Sequence, residues 1–245
     1  IINIEGGTIT AEGGGKENGS CQASGAGIGS GGNALNKTTI NIKGGEITAT
    51  GGVSLDSRNH SDKWLSGAGI GSGSNVSGET EINISGDSTI KSASGGKYGG
   101  AGIGSGANSS KATTINITGG TIKNATGTDG GAGIGGGIES TGSNITIRGG
   151  TIEAVGGSNA AGIGDGAGRA SDDTDDPNPG DLYICGDAEV TAKAGSQMTD
   201  AKAPAIGGSY GEVPTENLSD DEHKVTGGRL TRLNADGTVM EGMGY

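Results

Sequence analysis

The chain has 245 residues, of which 57 are Gly, with no Phe, one Trp and two His, and this composition excludes a conventional core of large side chains. A formal net charge of −12 excludes the basic face that nucleic acid or an anionic membrane surface requires. No apolar run is long enough to insert in a membrane, and disorder is excluded because Ile and Ala recur with period two inside short segments.

The first predicted elements lie in Ile2-Asn3-Ile4-Glu5-Gly6-Gly7-Thr8-Ile9-Thr10-Ala11. Two short strands there place Ile2, Ile4, Ile9 and Ala11 on one side and Asn3, Thr8 and Thr10 on the other, with Gly6-Gly7 at the corner. A third strand follows in Gly25-Ala26-Gly27-Ile28-Gly29-Ser30-Gly31, where Ala26 and Ile28 point inward and only glycine hydrogens face out. The chain opens at Ile1 inside a strand pattern, so we expect an excised segment of a longer protein whose targeting signals lie elsewhere.

Both blocks then return. The first restarts at Ile40, Ile82, Ile115, Ile145 and Leu182, a spacing of 30 to 42 residues. The second returns around Ile70, Ile103, Ile134 and Ile163, with a decayed copy at Pro204-Ala205-Ile206-Gly207-Gly208. Strands this short cannot pair within one repeat, but each can pair with its equivalent in the next. The prediction is an all-β, single-stranded parallel β-helix of six coils, with one file of Ile and Ala along its axis.

The corners and loops vary in register with this frame. Gly86-Asp87-Ser88 and Gly186-Asp187-Ala188 replace Gly-Gly with one residue more, a change we attribute to the tolerance of Asp for left-handed backbone. Insertions fall before each Ala-Gly-Ile-Gly, and the one long return segment runs from Gly166 to Asp181. After Gly211 the pattern fades, then resumes as Val225-Thr226-Gly227-Gly228-Arg229-Leu230-Thr231, followed by an Asp236-Gly237 turn. The expected division is therefore 1–211 for the β-helix repeats and 212–245 for a partial seventh coil and cap that covers the sheet edge.

The Ile-x-Ile-x-Gly-Gly-Thr-Ile-x-Ala block followed by Gly-Ala-Gly-Ile-Gly-Ser-Gly resembles the repeats of large cell-surface proteins of gut-type anaerobic Gram-positive bacteria. It is more distantly similar to carbohydrate-binding parallel β-helix proteins of polysaccharide degraders. Over Ile2 to Gly208 the resemblance implies a right-handed helix, an extracellular location at the cell surface or secreted, and contact with polysaccharide or host glycan as part of a larger surface protein. It transfers no site residue.

Catalysis by two carboxylates needs them roughly 5–9 Å apart, a span that adjacent coils supply. One outward row reads Thr8, Glu46, Thr89, Thr121, Thr151, Glu189, and the next Thr10, Thr48, Lys91, Lys123, Glu153, Thr191. Neither sets two carboxylates side by side, so no catalytic residue is assigned, and Lys123 beside Glu153 reads as a surface ion pair. A third row, Asn3, Asn41, Asn83, Asn116, Thr146, Tyr183, suits sugar hydroxyls, but asparagines stacked in this way also bond to one another, and that reading is preferred.

The bare glycine wall admits a polysaccharide, a second protein or the chain's own loops, and the last is preferred. Gly27, Gly29 and Gly32 fit Gly-x-Gly-x-x-Gly, yet no helix follows, which rejects a nucleotide fingerprint. The match of Gly207-Gly208-Ser209-Tyr210-Gly211 to a nucleophile elbow is chance in so Gly- and Ser-rich a chain.

The preferred ligand site is the long loop carrying Asp56, Arg58, His60, Asp62 and Trp64, with Tyr98 of the following loop, because aromatic faces among mixed polar groups suit sugar stacking. The competing structural role for Trp64 is to anchor that loop to the solenoid wall.

Asp172, Asp173, Asp175, Asp176 and Asp181 of the return loop offer enough oxygen ligands for Ca²⁺, without the spacing or closing glutamate of an EF-hand; a solvated acidic loop is the plainer reading. No other cofactor is expected, since His60, His223, Cys21 and Cys185 form no zinc ligand cluster. The two cysteines lie in the first and sixth repeats, more than ~20 Å apart at ~4.8 Å per coil, and are expected to be unpaired thiols. The sequence therefore reads as a noncatalytic surface solenoid, an adhesin or stalk segment, with the β-helical domain of a polysaccharide lyase or glycosidase as the alternative.

Overall fold

The structure, a computed structural model, describes residues 1–15, 23–56, 63–168, 180–196, 204–207 and 223–240. Coil one contains β1 (Ile2–Ile4), β2 (Thr8–Glu12) and β3 (Ile28–Gly29). Coil two contains β4 (Thr38–Ile42), β5 (Glu46–Thr50), an inserted pair β6 (Val53–Asp56) and β7 (Lys63–Ser66), and β8 (Ile70–Gly71). Coil three is built from β9 (Thr80–Ile84), β10 (Thr89–Ser94) and β11 (Ile103–Gly104).

In coils four and five the first two strands fuse across the glycine corner. They form β12 (Thr113–Thr126) before β13 (Ile134–Gly135), and β14 (Asn144–Val155) before β15 (Ile163–Gly164). Coil six has β16 (Leu182–Ile184), β17 (Glu189–Lys193) and β18 (Ile206–Gly207), and the partial seventh has β19 (His223–Val225) and β20 (Arg229–Leu233).

Equivalent strands pair in parallel from coil to coil. Ile2, Ile40, Ile82, Ile115, Ile145 and Leu182 occupy one register file, and Ile28, Ile70, Ile103, Ile134, Ile163 and Ile206 another. The first two walls join into a 12-stranded sheet and the third is a 6-stranded one. This is the predicted parallel β-helix.

The β-branched residues favour these strands because their side chains pack on a pleated, half-buried surface. Ile40, Ile42, Ile47, Ile82, Ile90, Ile103 and Ile115 are all 0 % exposed. Each stabilises by roughly 1.5–3 kcal/mol on burial, so stacked isoleucine replaces the absent aromatic core.

The last coil is closed by a turn. Leu233 bridges Val239, the Asn234 N–H donates to Thr238 O at 2.8 Å, and Met240 packs on the core.

Two expectations need correction. First, coils three and four carry an extra residue in their second strand: Ile90 pairs with Ile47 but Ser92 with Thr48, which leaves Lys91 in a bulge. The same shift separates Ile122 and Ala125 from Ile152 and Ala154, so Lys91 and Lys123 are not in file with Thr48 and Glu153. Lys123 forms no ion pair with Glu153 among the described residues; the bulge instead lets Lys91 Nζ reach back to Glu46 at 2.6 Å.

Second, the longer corners place the left-handed backbone on Gly86 (φ +66°) and Gly186 (φ +71°), not on Asp87 or Asp187. The added residue turns inward, where Ser88 and Ala188 are buried.

The glycine wall is covered by the chain itself, the occupant preferred from the sequence. A Cβ on Gly27 would lie 2.6 Å from Thr50 O and one on Gly69 2.7 Å from Ser94 N, so the segments leaving the second wall lie against it. Of the three occupants considered, the chain's own backbone is the one found. Serine completes this wall: the hydroxyls of Ser30, Ser72 and Ser105 accept the N–H groups of Gly73, Gly106 and Gly137 in the following coils at 3.2, 3.1 and 2.9 Å.

Candidate functional site

Val53-Ser54-Leu55 alternates apolar and polar residues and Trp64-Leu65 supplies an apolar pair opposite it, so an antiparallel ribbon stands where the sequence predicted a loop. β6 and β7 pair with Val53 opposite Ser66, Leu55 opposite Trp64 and Asp56 opposite Lys63. The base of this hairpin is held from both neighbouring coils. Ser54 Oγ donates to Ala23 O at 2.9 Å, and Ser24 Oγ donates to Leu65 O at 3.1 Å. On the other side the Ala107 N–H donates to Ser66 O at 2.8 Å, and Ser66 Oγ donates to Lys97 O.

Leu65 is 2 % exposed and both Ser54 and Ser66 are fully buried, so each side chain at the base has its partner inside the wall. The hairpin therefore leaves the solenoid from a fixed base.

The contact to Lys97 brings the hairpin base against the turn that carries Tyr98. That turn closes by the Gly100 N–H donating to Gly96 O at 3.3 Å, with Tyr98 at φ +79° and Gly99 at φ +107°. Lys97 Nζ stands 4.8 Å from the centre of the Tyr98 ring, within cation–π range. Ile138 of the next coil lies against Gly99, and its N–H donates to Gly99 O at 2.7 Å.

Of the predicted ligand residues, Asp56 and Trp64 lie on the paired strands of the hairpin and Tyr98 on the turn that its base adjoins through Ser66. Arg58, His60 and Asp62 lie outside the described residues. Lys97 was not anticipated. Its signal was available, because Gly95-Gly96-Lys97-Tyr98-Gly99-Gly100 is one residue longer than the equivalent Gly127-Thr128-Asp129-Gly130-Gly131.

The predicted calcium ligands Asp172, Asp173, Asp175 and Asp176 also lie outside the described residues. Asp181 bonds through its backbone: its N–H donates to Asn144 Oδ1 at 3.2 Å, and its carbonyl accepts from the Ile145 N–H at 2.7 Å. Among the described residues no three His, Cys, Asp or Glu side chains come together. Cys185 is a free, half-exposed thiol, as expected, while Cys21 lies outside the described residues.

The asparagine file is a directional ladder. Asn41 Nδ2 donates to Asn3 Oδ1 at 2.8 Å, Asn83 Nδ2 to Asn41 Oδ1 at 3.0 Å and Asn116 Nδ2 to Asn83 Oδ1 at 3.0 Å. The amides satisfy one another, which is the structural reading preferred from the sequence.

No curated protein and no solved structure matches this chain. A family model described as a beta helix repeat matches residues 2–32, 40–74, 82–107, 115–138 and 145–167, together more than half of the chain. Each match opens on an Ile-x-Ile strand and runs past the following Ile-Gly strand, so sequence similarity and strand pairing divide the molecule at the same places. The chain belongs to the beta helix repeat family.

Proposed function

We propose that this beta helix repeat domain is a noncatalytic segment of an extracellular surface protein, a stalk or adhesin, that binds carbohydrate where the β6–β7 hairpin meets the Lys97–Tyr98 turn. The observation that carries this reading is the fixed base of the hairpin, with Ser54, Leu65 and Ser66 tied into both neighbouring coils beside an aromatic ring and an ammonium group. A pre-ordered platform loses little entropy when it takes up a ligand, which matters for sugars, whose contacts are individually weak. The sole Trp of the chain lies on β7 of the same hairpin.

A glycan array tests the reading. The expected result is a set of hits for the wild-type domain, weakened at least about tenfold in Trp64→Ala, the ~1.4 kcal/mol scale of one lost aromatic contact. An array without hits, or hits unchanged in Trp64→Ala, would overturn the site. Incubation with pectins, mucins and fructans is expected to leave no new reducing ends or unsaturated products; their appearance would overturn the noncatalytic part.

A further inference from the structure

The turn carrying Tyr98 departs from the preference shown by most other left-handed positions among the described residues. The other described non-glycine residues with left-handed backbone are Asn33, Asn75, Asn108, Asp129 and Asn159, together with Glu139, at φ from +34° to +59°. Asn and Asp tolerate this region because their short side chains bond locally, whereas a bulky side chain crowds the following carbonyl. Tyr98 stands there at φ +79°.

The comparison with the next coils is direct. The same corner is closed in coil four by the Gly131 N–H donating to Thr128 O at 2.8 Å across Asp129-Gly130, and in coil five by the Ala160 N–H donating to Gly157 O at 3.1 Å across Ser158-Asn159. The fold thus meets this corner with Asp in coil four and with Asn in coil five, and in coil three puts a large ring on the left-handed residue. The ring is half-buried and lies outside the apolar core cluster, so core packing does not explain it. Residues held in costly backbone regions gather where a side chain is needed for recognition.

The charges around the ring narrow the ligand. Lys97 is exposed with its ammonium over the ring, 4.8 Å from its centre; a pyranose stacked on that face displaces the ammonium to the ring edge, where it donates to the sugar hydroxyls. Asp129, exposed on the adjoining turn, has its carbonyl oxygen 3.3 Å from where a side chain on Gly99 would begin, and its carboxylate supplies an acceptor. One cation beside one anion, on a chain of net charge −12, favours neutral hydroxyl-rich chains and repels acidic ones.

We propose that Tyr98 is the stacking residue of this corner and that its ligand is a neutral polysaccharide, held through hydroxyl groups by Lys97 and Asp129. This rests on the carbohydrate-binding reading above and specifies the residue and the substrate class.

The test compares the wild-type domain with Tyr98→Asn and Tyr98→Phe, measuring Tm and the binding of neutral glucans, mannans and galactans alongside polygalacturonate and hyaluronan. Tyr98→Asn is expected to raise Tm by roughly 2–4 °C as the strain is relieved, and to lose at least about tenfold in affinity for the neutral glycan. Tyr98→Phe is expected to keep the wild-type Tm, with binding within about threefold, well inside the tenfold step of ~1.4 kcal/mol.

A lower Tm in Tyr98→Asn would show that the ring serves packing, and unchanged binding in Tyr98→Asn that it does not touch the ligand; either overturns the proposal. Binding confined to the acidic polysaccharides would overturn the ligand class and leave the carbohydrate reading standing. If no polysaccharide binds the wild type, that reading falls and this one with it.

Discussion

Two walls of the solenoid solve the same stacking problem by opposite means. In the wall of β4, β9 and β12, Ile40, Ile82 and Ile115 fill the interior and Asn41, Asn83 and Asn116 bond to one another outside, so side chains occupy both faces. In the wall of β8, β11 and β13 the inner face is the same, with Ile70, Ile103 and Ile134 fully buried. The outer face is taken by backbone: a Cβ on Gly69 would lie 2.7 Å from both Gly102 O and Ser94 N. The first wall is specified by which side chain is present, the second by its absence. Substitutions in the two should therefore differ in kind.

The largest expected effect is in the glycine wall. Gly104 has φ +141°, and a Cβ there would lie 1.9 Å from Gly135 O, a contact with backbone that no rotamer relieves. Gly104→Ala combines that overlap with a backbone region closed to L side chains, and we expect a loss of about 3–5 kcal/mol in urea unfolding. Gly6 has a Cβ position with nothing within 4 Å and no positive φ, so Gly6→Ala is expected to change stability by less than about 1 kcal/mol. Equal effects at the two positions would show that neither contact nor backbone region governs the wall.

This contrast also explains what was legible beforehand. Ile2, Ile4 and the isoleucine files could be read because period-two alternation follows directly from strand geometry, and the parallel pairing follows from repeats too short to pair internally. The outer faces were harder. A glycine such as Gly27 carries no side chain, so the sequence does not say what lies against it, and the approach of Thr50 is a property of the closed coil. The bulge at Lys91 was missed because Thr89-Ile90-Lys91-Ser92-Ala93 aligns with Glu46-Ile47-Thr48-Ala49 equally well at its first two residues, and only the burial of Ala93 with Ala49 fixes the shift.

At the candidate site, Trp64 and Tyr98 stood out as aromatics in a chain nearly without them. That the base of the hairpin meets the Lys97–Tyr98 turn depends on the bond from Ser66 to Lys97 between coils, which no spacing along the sequence reveals.

A smaller effect is expected in the asparagine wall, where the outer side chain adds bonds to strands already paired. Asn83 donates to Asn41 Oδ1 and accepts from Asn116 Nδ2, both at 3.0 Å. Removing these half-exposed bonds in Asn83→Ala is expected to cost about 1 kcal/mol, read as a lower urea midpoint with an unchanged m-value. Asn83→Asp should be worse than Ala at neutral pH, because it withdraws the donor to Asn41 and sets a carboxylate beside Glu81. The reverse order would mean that the ladder contributes little.

The smallest effect lies beside that ladder. Lys37 Nζ is 2.9 Å from Glu81 Oε2, and Asn83 Nδ2 donates to Glu81 Oε1 at 3.3 Å. The hydrogen bond from Lys37, then that from Asn83, hold the Glu81 carboxyl below the ordinary glutamate value, while the bond to Glu81 holds the Lys37 ammonium above the ordinary lysine value. A carboxyl lowered on folding contributes stability above its unfolded value, which disappears as pH falls through the folded one; a raised ammonium contributes below its unfolded value and loses this as pH rises through the folded one. The pair therefore supports the fold across the neutral range and weakens toward both extremes, by little, because both side chains remain in water. Lys37→Ala should melt slightly below wild type at pH 7, and the two melting curves should converge as Glu81 becomes protonated. A gap that survives acidification would place the contribution of Lys37 in its aliphatic stem, which packs whether or not Glu81 is charged.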